Sequence, residues 1–511
     1  MAGGVEGGPG KWAKVIDHES CIGCHACSTA CKSENDVPLS VNRTYVKYVD
    51  VGTFPQARRT FQVTRCNQCE DSPCTIACPT AAMYCRPDGI VDFDKSICIG
   101  CKACIAACPY DAIFINPEDH SAEKCNFCAH RLDVGLEPAC VVVCPTEAIM
   151  VGDMTDTNSR VAQMINREPV AVRRPEKETR PKLFYRGAHQ TTLDPLAAKR
   201  PKGGLFMWSQ QKSGAHNVVA GYPGEAPKHN SSAAAVVAYD VPHKLPWDWR
   251  VSLYTLTKGV AAGAYLVPLL LVLMGWLDSQ SPLWVWGAPI VAGLFLGLTG
   301  MLLIWDLEHP LRFYMIFTKA QWQSWLVKGA FIIGGYSLVL GLHFLTGLLD
   351  RGEAREVLIL AGLPLALMTA VYTAYLFAQA KARDMWQSPL LPPHLAVQAL
   401  LAGSAALLPV AYFAAPQALT PMLRILCGAS AVHLLFVLGE TTLVHSTAHA
   451  HLATWEMVRG RYRRWFWLGA LFVAAGVAAP WTGIIAAPVA LLGLLCFEHA
   501  YVQAGQAVPL A

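Results

Sequence analysis

Sixteen cysteines in four groups of four constrain this chain more than any other feature. The first group is Cys21-x2-Cys24-x2-Cys27-x3-Cys31, and the second is Cys66-x2-Cys69-x4-Cys74-x3-Cys78-Pro79. The third is Cys98-x2-Cys101-x2-Cys104-x3-Cys108-Pro109. The fourth is Cys125-x2-Cys128, a gap of eleven residues, then Cys140-x3-Cys144-Pro145. Three thiolates at such spacing wrap three irons of a cubane, and the cysteine three residues later points away towards a neighbouring cluster. Sixteen ligands at four per centre therefore predict four [4Fe–4S] clusters. Structural zinc is the competing reading, but a tetrahedral site needs two CxxC pairs and has no place for the third cysteine of CxxCxxC. Tight, repetitive spacing also argues against disulfides.

An internal repeat supports the cluster reading. Ile16-Asp17-His18-Glu19-Ser20-CIGCHAC and Phe93-Asp94-Lys95-Ser96-Ile97-CIGCKAC align position for position, 77 residues apart. A ferredoxin-type unit holds two clusters by mutual exchange of the last cysteine. Groups two and three then give Cys66, Cys69, Cys74 and Cys108 to one cluster, and Cys78, Cys98, Cys101 and Cys104 to another. Groups one and four give Cys21, Cys24, Cys27 and Cys144 to a third, and Cys31, Cys125, Cys128 and Cys140 to the fourth. Cys85, Cys427 and Cys496 fit no group and read as small buried hydrophobes.

The remainder of the chain is of a different character. Of 511 residues, 53% are hydrophobic and 15% charged, and 17 of the 19 cysteines precede residue 240. A formal net charge of +4 is too weak to imply nucleic-acid binding. From about residue 250 the sequence is a series of apolar runs, at 253–277, 284–305, 324–348, 356–380, 393–414, 421–443, 464–479 and 481–500. Most are long enough for a hydrocarbon layer of about 30 Å. The expected architecture is an α+β ferredoxin-like multi-cluster domain over residues 1–190, then an extended linker or partner-docking strap over 191–249. An all-α polytopic membrane bundle of about eight helices follows over 250–511. Arg173-Arg174-Pro175-Glu176-Lys177 and the Gly/Pro/Ala-rich run 202–246 read as surface loop and tether.

Eight spans put both ends of the bundle on one side. Arg250, Arg312, Lys319, Lys381, Arg383, Arg459, Arg461, Arg463 and Arg464 fall on that side, so the cluster domain is expected in the cytoplasm, against the inner membrane. The first twenty residues contain neither an apolar h-region nor a twin arginine, so no export signal is expected.

Charged residues in or beside apolar spans are costly and mark function. The stretch Trp305-Asp306-Leu307-Glu308-His309-Pro310-Leu311-Arg312 ends the second span. Tyr254, Lys258, Asp306, His309, Trp325 and Lys328 all fall at the same membrane depth. Together they offer aromatic walls, hydrogen-bond partners and a proton source, as a quinone (menaquinone or ubiquinone) requires. An Asp306–Arg312 pair pinning the loop is the plainer alternative. His433 and Glu440 share a face of the sixth span and are candidates for a proton path, against simple interhelical hydrogen bonding. His445 and His449 lie one turn apart if that helix continues, His343 reads as a satisfied interior histidine, and no haem is expected.

CNQCEDSPCTIACPTAAM, CIGCKACIAACPYDAI and CNFCAH…CVVVCPTEAI resemble the four-cluster electron-transfer subunits of the complex iron–sulfur molybdoenzyme family, over roughly residues 14–190. That group includes dimethyl sulfoxide, polysulfide, tetrathionate and nitrite reductase subunits and their sulfite- and formate-oxidising relatives. KGVAAGAYL, WDLEHPLRF and WQSWLVKGAF resemble the polysulfide-reductase/NrfD type of membrane anchor. The resemblance implies a molybdopterin catalytic partner subunit, membrane lipid and quinone as the other partners, and electron transfer between catalytic subunit and quinone. With a cytoplasmic partner, sulfite or formate oxidation towards quinone is expected; a periplasm-facing reductase or a proton-translocating respiratory complex is the alternative.

Overall fold

Short strands bracket the cysteine loops in the first half of the chain. The computed structural model describes residues 10–52, 55–199 and 235–510. It divides into a cysteine-rich unit, Met1–Lys244 with Pro509–Ala511, and a helical unit, Leu245–Val508.

In the cysteine-rich unit the strands run β1 (Trp12–Asp17), β2 (Thr44–Val51), β3 (Arg58–Arg65), β4 (Met83–Cys85), β5 (Val91–Phe93) and β6 (Ile113–Ile115). They continue as β7 (Ala122–Lys124), β8 (Ile149–Asp153), β9 (Val170–Ala171), β10 (Leu183–Arg186) and β11 (Ala235–Tyr239). The main sheet has the order β8-β1-β10-β9. β1 is buried along most of its length, as expected for a strand paired on both edges. Its Ile16 faces Ile149 of antiparallel β8 and Tyr185 of parallel β10. A second sheet, β11-β2-β3, aligns Thr44 with Arg65 and Val51 with Arg58. The hairpins β4–β5 and β6–β7 precede cysteine groups three and four.

Several expectations change here. The unit boundary falls after Lys244 rather than at 250, because β11 pairs with β2 through Ala235↔Val51 and adds a strand inside the expected linker. Much of that linker, residues 200–234, lies outside the described residues. Arg173 and Arg174 are buried rather than on a surface loop. Backbone carbonyls hold them: Arg173 Nη2 donates to Leu510 O at 3.1 Å, and Arg174 Nη1 to Pro109 O at 3.3 Å. Cys85 is exposed, because β4 ends a hairpin with only Met83 turned inward; Cys496 is buried and Cys427 half-buried.

The helical unit contains seven helices long and apolar enough to cross a membrane. They are Trp249–Leu273, Leu283–Trp305, Trp325–Leu348, Gly352–Gln379, Leu391–Ala414, Pro416–Thr442 and Ala479–Ala507. The run expected at 464–479 is the helix Arg463–Val477, whose 15 residues span about 22 Å, less than the usual membrane helix. The run expected at 481–500 becomes a short turn, Ala479–Thr482, then the helix Ala486–Ala507, because Gly483 breaks the path at φ 66°. His445 and His449 are not one turn apart on the sixth helix. That helix stops at Thr442, and Thr447 caps a new one, Ala448–Val458.

Small residues set the spacing of the bundle. A Cβ on Gly263 would sit 1.8 Å from the carbonyl oxygen of Ala399, so the first and fifth spans touch backbone to backbone. At one end, Trp247, Phe377 and Trp386 stack, with centroids 5.9, 5.5 and 4.6 Å apart pairwise. Arg383 Nη1 donates to Gln506 O and Val508 O, and the Gln506 side chain receives Trp247 N–H. The start of the first span therefore meets the ends of the fourth and the last.

His243, just after β11, contacts Asp111 through Nδ1, and its Nε2 lies 3.2 Å from Asp240 Oδ1. Burial disfavours the imidazolium, but the two carboxylates outweigh it and raise its pKa to about 9. The unfolded value is about 6.5, so this stabilisation is complete below pH 6.5 and is lost as pH rises through 9. Hydrogen exchange in residues 239–243 is expected to accelerate across that window. In His243→Gln it is expected to be fast already at pH 6. Pinning that does not change between pH 6 and 9.5 in the parent chain would refute the link.

Candidate functional site

The cysteine loops of the repeat share one backbone form. Gly23 and His25 have φ 68° and 61°, and Gly100 and Lys102 have φ 69° and 62°. These left-handed residues curl each CxxCxxC segment before the helices Ala26–Glu34 and Ala103–Ala107 begin. The sequence repeat is a conformational repeat.

The thiols gather in four quartets. One cavity is lined by Cys78, Cys98, Cys101 and Cys104. A second is lined by Cys21, Cys24, Cys27 and Cys144. Cys31 lies in the electrostatic field of Cys125, Cys128 and Cys140, and Asn35 Nδ2 reaches the sulfurs of Cys31 and Cys128 at 3.8 and 3.7 Å. Cys74 likewise feels Cys66, Cys69 and Cys108. In every quartet the last cysteine of one group joins three from another. Electrostatic reach between quartets orders them in a row: Cys27 lies in the field of Cys140, Cys66 in that of Cys125, and Cys104 in that of Cys74.

The donor chemistry fits a polynuclear centre. Zinc–sulfur bonds of about 2.3 Å would draw four sulfurs to within about 4 Å of one another. Among the described residues no three Cys, His, Asp or Glu side chains converge closely enough to hold a single ion. Burial pushes the Cys21 thiol up to about 11 and those of Cys31, Cys69 and Cys108 up to about 12. Cys140 moves the other way. Burial disfavours its thiolate, but Lys14 and Arg65 outweigh burial and bring it down to about 7.

The helical unit divides the six quinone candidates into groups. Tyr254 and Lys258 are both buried on the first span and both engage Thr373 of the fourth. Lys258 Nζ donates to Thr373 Oγ1 and Ala370 O, each at 2.8 Å, and sits 5.2 Å from the Tyr372 ring centroid. Asp306, also buried, lies 3.6 Å from Arg250 Nε and within electrostatic reach of Tyr254. Arg250 is thus a cationic partner of Asp306. Half-buried His309 precedes the short turn Pro310–Arg312. Trp325 stacks on Tyr375 at 4.5 Å, and Lys328 lies 4.6 Å above the Trp325 ring, so this pair forms a separate aromatic–cation group. Tyr372 sits between the groups, packed against Gly329.

His433 and Glu440 are joined by a residue that the sequence does not single out. His394 Nδ1 is 3.0 Å from Glu440 Oε1, and its Nε2 is 2.9 Å from His433 Nδ1. With Glu440 as a carboxylate, which only accepts, His394 would donate through Nδ1 and accept from His433 through Nε2. Glu498, 3% exposed on the last helix, lies within electrostatic reach of Lys258, His394 and Glu440 and accepts from Thr255. The buried polar residues therefore run Tyr254–Thr373–Lys258–Glu498–His394–His433/Glu440. Glu498 carried a visible signal, an acid inside an apolar run. His394 was masked by its place directly after Leu391-Pro392-Pro393, at a helix start. His343 is buried, with Nε2 3.1 Å from Trp284 O.

Comparison with known proteins agrees with both halves. Residues 57–154 match the 4Fe-4S dicluster domain, and residues 239–497, just over half of the chain, match the polysulphide reductase NrfD family. The chain belongs to the NrfD family. Its amino-terminal part is similar to separate, shorter proteins. A tetrathionate reductase subunit of Salmonella typhimurium is 41% identical over 203 residues, 38% of this chain and 80% of that protein. A polysulfide reductase chain of Wolinella succinogenes is 44% identical over 177 residues, 34% of this chain and 93% of that protein. Protein NrfC of Escherichia coli is 40% identical over 177 residues, 34% of this chain and 79% of that protein. This NrfD-family chain is thus an iron–sulfur electron-transfer subunit fused to the membrane anchor of a reductase-type complex.

Quartet membership can be tested by deletion. Cys31→Ser is expected to disturb the centre shared with Cys125, Cys128 and Cys140, and Cys144→Ser the one shared with Cys21, Cys24 and Cys27. Iron content and low-temperature EPR of the two variants check this; loss of the same signal in both would refute the exchange.

Proposed function

We propose that this chain is the electron-transfer and quinone-reactive subunit of a membrane-bound molybdopterin oxidoreductase, with substrate catalysis in a partner subunit. The observation that carries the reading is Lys258. An ammonium buried to 1% exposure within an apolar span, beside two tyrosines, has a physical reason if it serves a polar ligand in the membrane. The same polypeptide carries four thiol quartets in a row. Bound there, four [4Fe–4S] clusters supply one-electron transfer between the partner and quinone.

The residues suit that substrate. Lys258 donates to Ala370 and Thr373 and, when protonated, keeps a third donor for a quinone carbonyl. Tyr372 presents its ring to Lys258, and Tyr254 lies within electrostatic reach of Tyr372. Asp306, half-fixed by Arg250, and His309 lie at the span's end, where protons can be exchanged with water. Trp325 and Lys328 offer a second aromatic–cation surface for the ring or its tail.

End-to-end contacts support eight crossings. The start of the first span, the end of the fourth and the end of the last share one side through Trp247, Arg383 and Gln506. From the end of the sixth span the chain needs two more passes to return there, and the helix Arg463–Val477 supplies one. The basic residues then collect on that side, supporting a cytoplasmic iron–sulfur unit and electron flow from sulfite or formate to quinone. The names of the relatives, tetrathionate and polysulfide reductase, support the reverse direction. Copurification of the native complex decides by the substrate of its large subunit.

Lys258→Met and Asp306→Asn are expected to slow quinone turnover by about tenfold to a hundredfold while the iron–sulfur EPR signals stay unchanged. Parental turnover in both variants would move the quinone site elsewhere.

The buried run from Lys258 to Glu440 favours a second reading, in which the chain also moves protons across the membrane. His433 Nε2 and Glu440 Oε2 are buried with no protein partner among the described residues, the condition in which water completes a path. Glu440→Gln and His394→Phe are expected to lower proton uptake per electron in liposomes while quinone turnover persists. An unchanged ratio in both would leave the network a structural one.

A further inference from the structure

Arg65 raises a question that electron transfer as such does not answer. It ends β3 directly before Cys66, yet its side chain turns to a different quartet, where Nη1 lies 3.0 Å from Cys140 Sγ. The residue is 1% exposed, and its Nε and Nη2 have no partner among the described residues. Lys14, also 1% exposed, brings Nζ to 3.9 Å from the same sulfur and 4.2 Å from the Phe127 ring centroid. Asn35 Nδ2 points at Cys31 and Cys128 of the same quartet. None of these contacts of Arg65 or Lys14 is with a carboxylate. Two buried cations without a counter-ion are prohibitively costly, so the charge they face must come from the thiolates and what these hold.

We infer that Arg65, assisted by Lys14, holds the reduction potential of the centre bound by Cys31, Cys125, Cys128 and Cys140 above the value it would otherwise take. The inference rests on the reading that this quartet binds a [4Fe–4S] cluster. On reduction, that group takes up one electron from its neighbour in the relay and gains one negative charge; no bond breaks and no proton is required. A fixed positive charge at hydrogen-bond distance from a ligand sulfur stabilises the more negative state. Net charge, hydrogen bonds to sulfur and exclusion of water are the levers by which a protein sets such a potential, and all three meet here. The tuned centre is second in the row, between the Cys21 quartet, reached through Cys27, and the Cys66 quartet, reached through Cys125. An electron arriving from either side is held there more favourably than it would be without Arg65. Arg65 bridges the Cys66 quartet and the tuned centre because β3 delivers its backbone to the first and its side chain to the second.

The test is an EPR-monitored redox titration of the full chain in membranes, comparing Arg65→Met, Arg65→Lys and Lys14→Met with the parent. Cys31→Ser identifies the relevant signal by removing it. Arg65→Met is expected to lower that one midpoint by at least a tenfold change in the reduction equilibrium, about 59 mV for one electron. The other signals should stay in place. Arg65→Lys should recover most of the shift, and Lys14→Met should show a smaller fall. An intact signal at the parental midpoint in Arg65→Met overturns the inference. If Arg65→Met fails to assemble the centre, an unmoved midpoint in Lys14→Met overturns it instead. A parent chain without iron, or a Cys31→Ser variant that keeps the signal, refutes the ligand assignment and not the tuning.

Discussion

A ferredoxin-type loop reaches three corners of a cube, and the fourth thiolate must arrive from elsewhere in the chain. Much of the cysteine-rich unit follows from that shortfall. Each Cys-x3-Cys step sends its last sulfur across to another quartet, so groups two and three become inseparable, as do groups one and four. The strands are short because they need only hold loop ends: β4–β5 and β6–β7 are three residues a side. The longer β1, β8 and β10 close the sheet beside the outer pair, where Cys27 and Cys140 pack with Ile16, Ile149 and Tyr185.

In the helical unit two demands oppose each other. Apolar helices must pack closely without help from the hydrophobic effect between them, which favours small residues such as Gly263 and Ala399 at the contact. Lys258, Glu498, His394 and His433 occupy the same interior, where each needs a partner. Both demands are met by placing the polar side chains on helices already drawn together. Lys258 reaches the Ala370 carbonyl of the fourth span because the first and fourth are packed there. The polar network and the tight crossing are mutually dependent.

The cysteine spacing and the repeat made the α+β cluster unit legible, since ligand geometry leaves few solutions. The apolar runs made the helical unit legible, including its doubtful end, where a 15-residue helix and Gly483 blurred the last two spans. What the sequence hid were contacts between distant positions. β11 pairs with β2 from within a stretch whose composition reads as tether, because strand pairing depends on the partner and not only on local composition. Arg173 reads as a solvated cation until the carbonyl of Leu510 is seen beside it. Tyr254 and Lys258 were recognisable as polar residues in a span, but their sharing of Thr373, and the separation of Trp325 and Lys328 into another group, depended on the rotation of the third and fourth helices. Periodicity does not set that rotation.

The nesting of the quartets also sets the closures that the chain must make. Cys66 and Cys108 are 42 residues apart, whereas Cys21 and Cys144 are 123 residues apart and enclose them. Loop closure grows only as the logarithm of length, so the outer closure costs about 1 kcal/mol more than the inner one. That difference is small in equilibrium terms, but the inner pair is also built around local hairpins, and its last ligand, Cys108, precedes Cys140 in the chain. Once groups two and three are fixed, the effective separation between groups one and four shrinks, because the intervening chain is no longer a flexible loop. Arg65 ends the strand that leads into the inner pair and points at Cys140 of the outer one. With the inner pair fixed, β3 holds a buried cation against the outer quartet, so one side chain links the two halves of the nest.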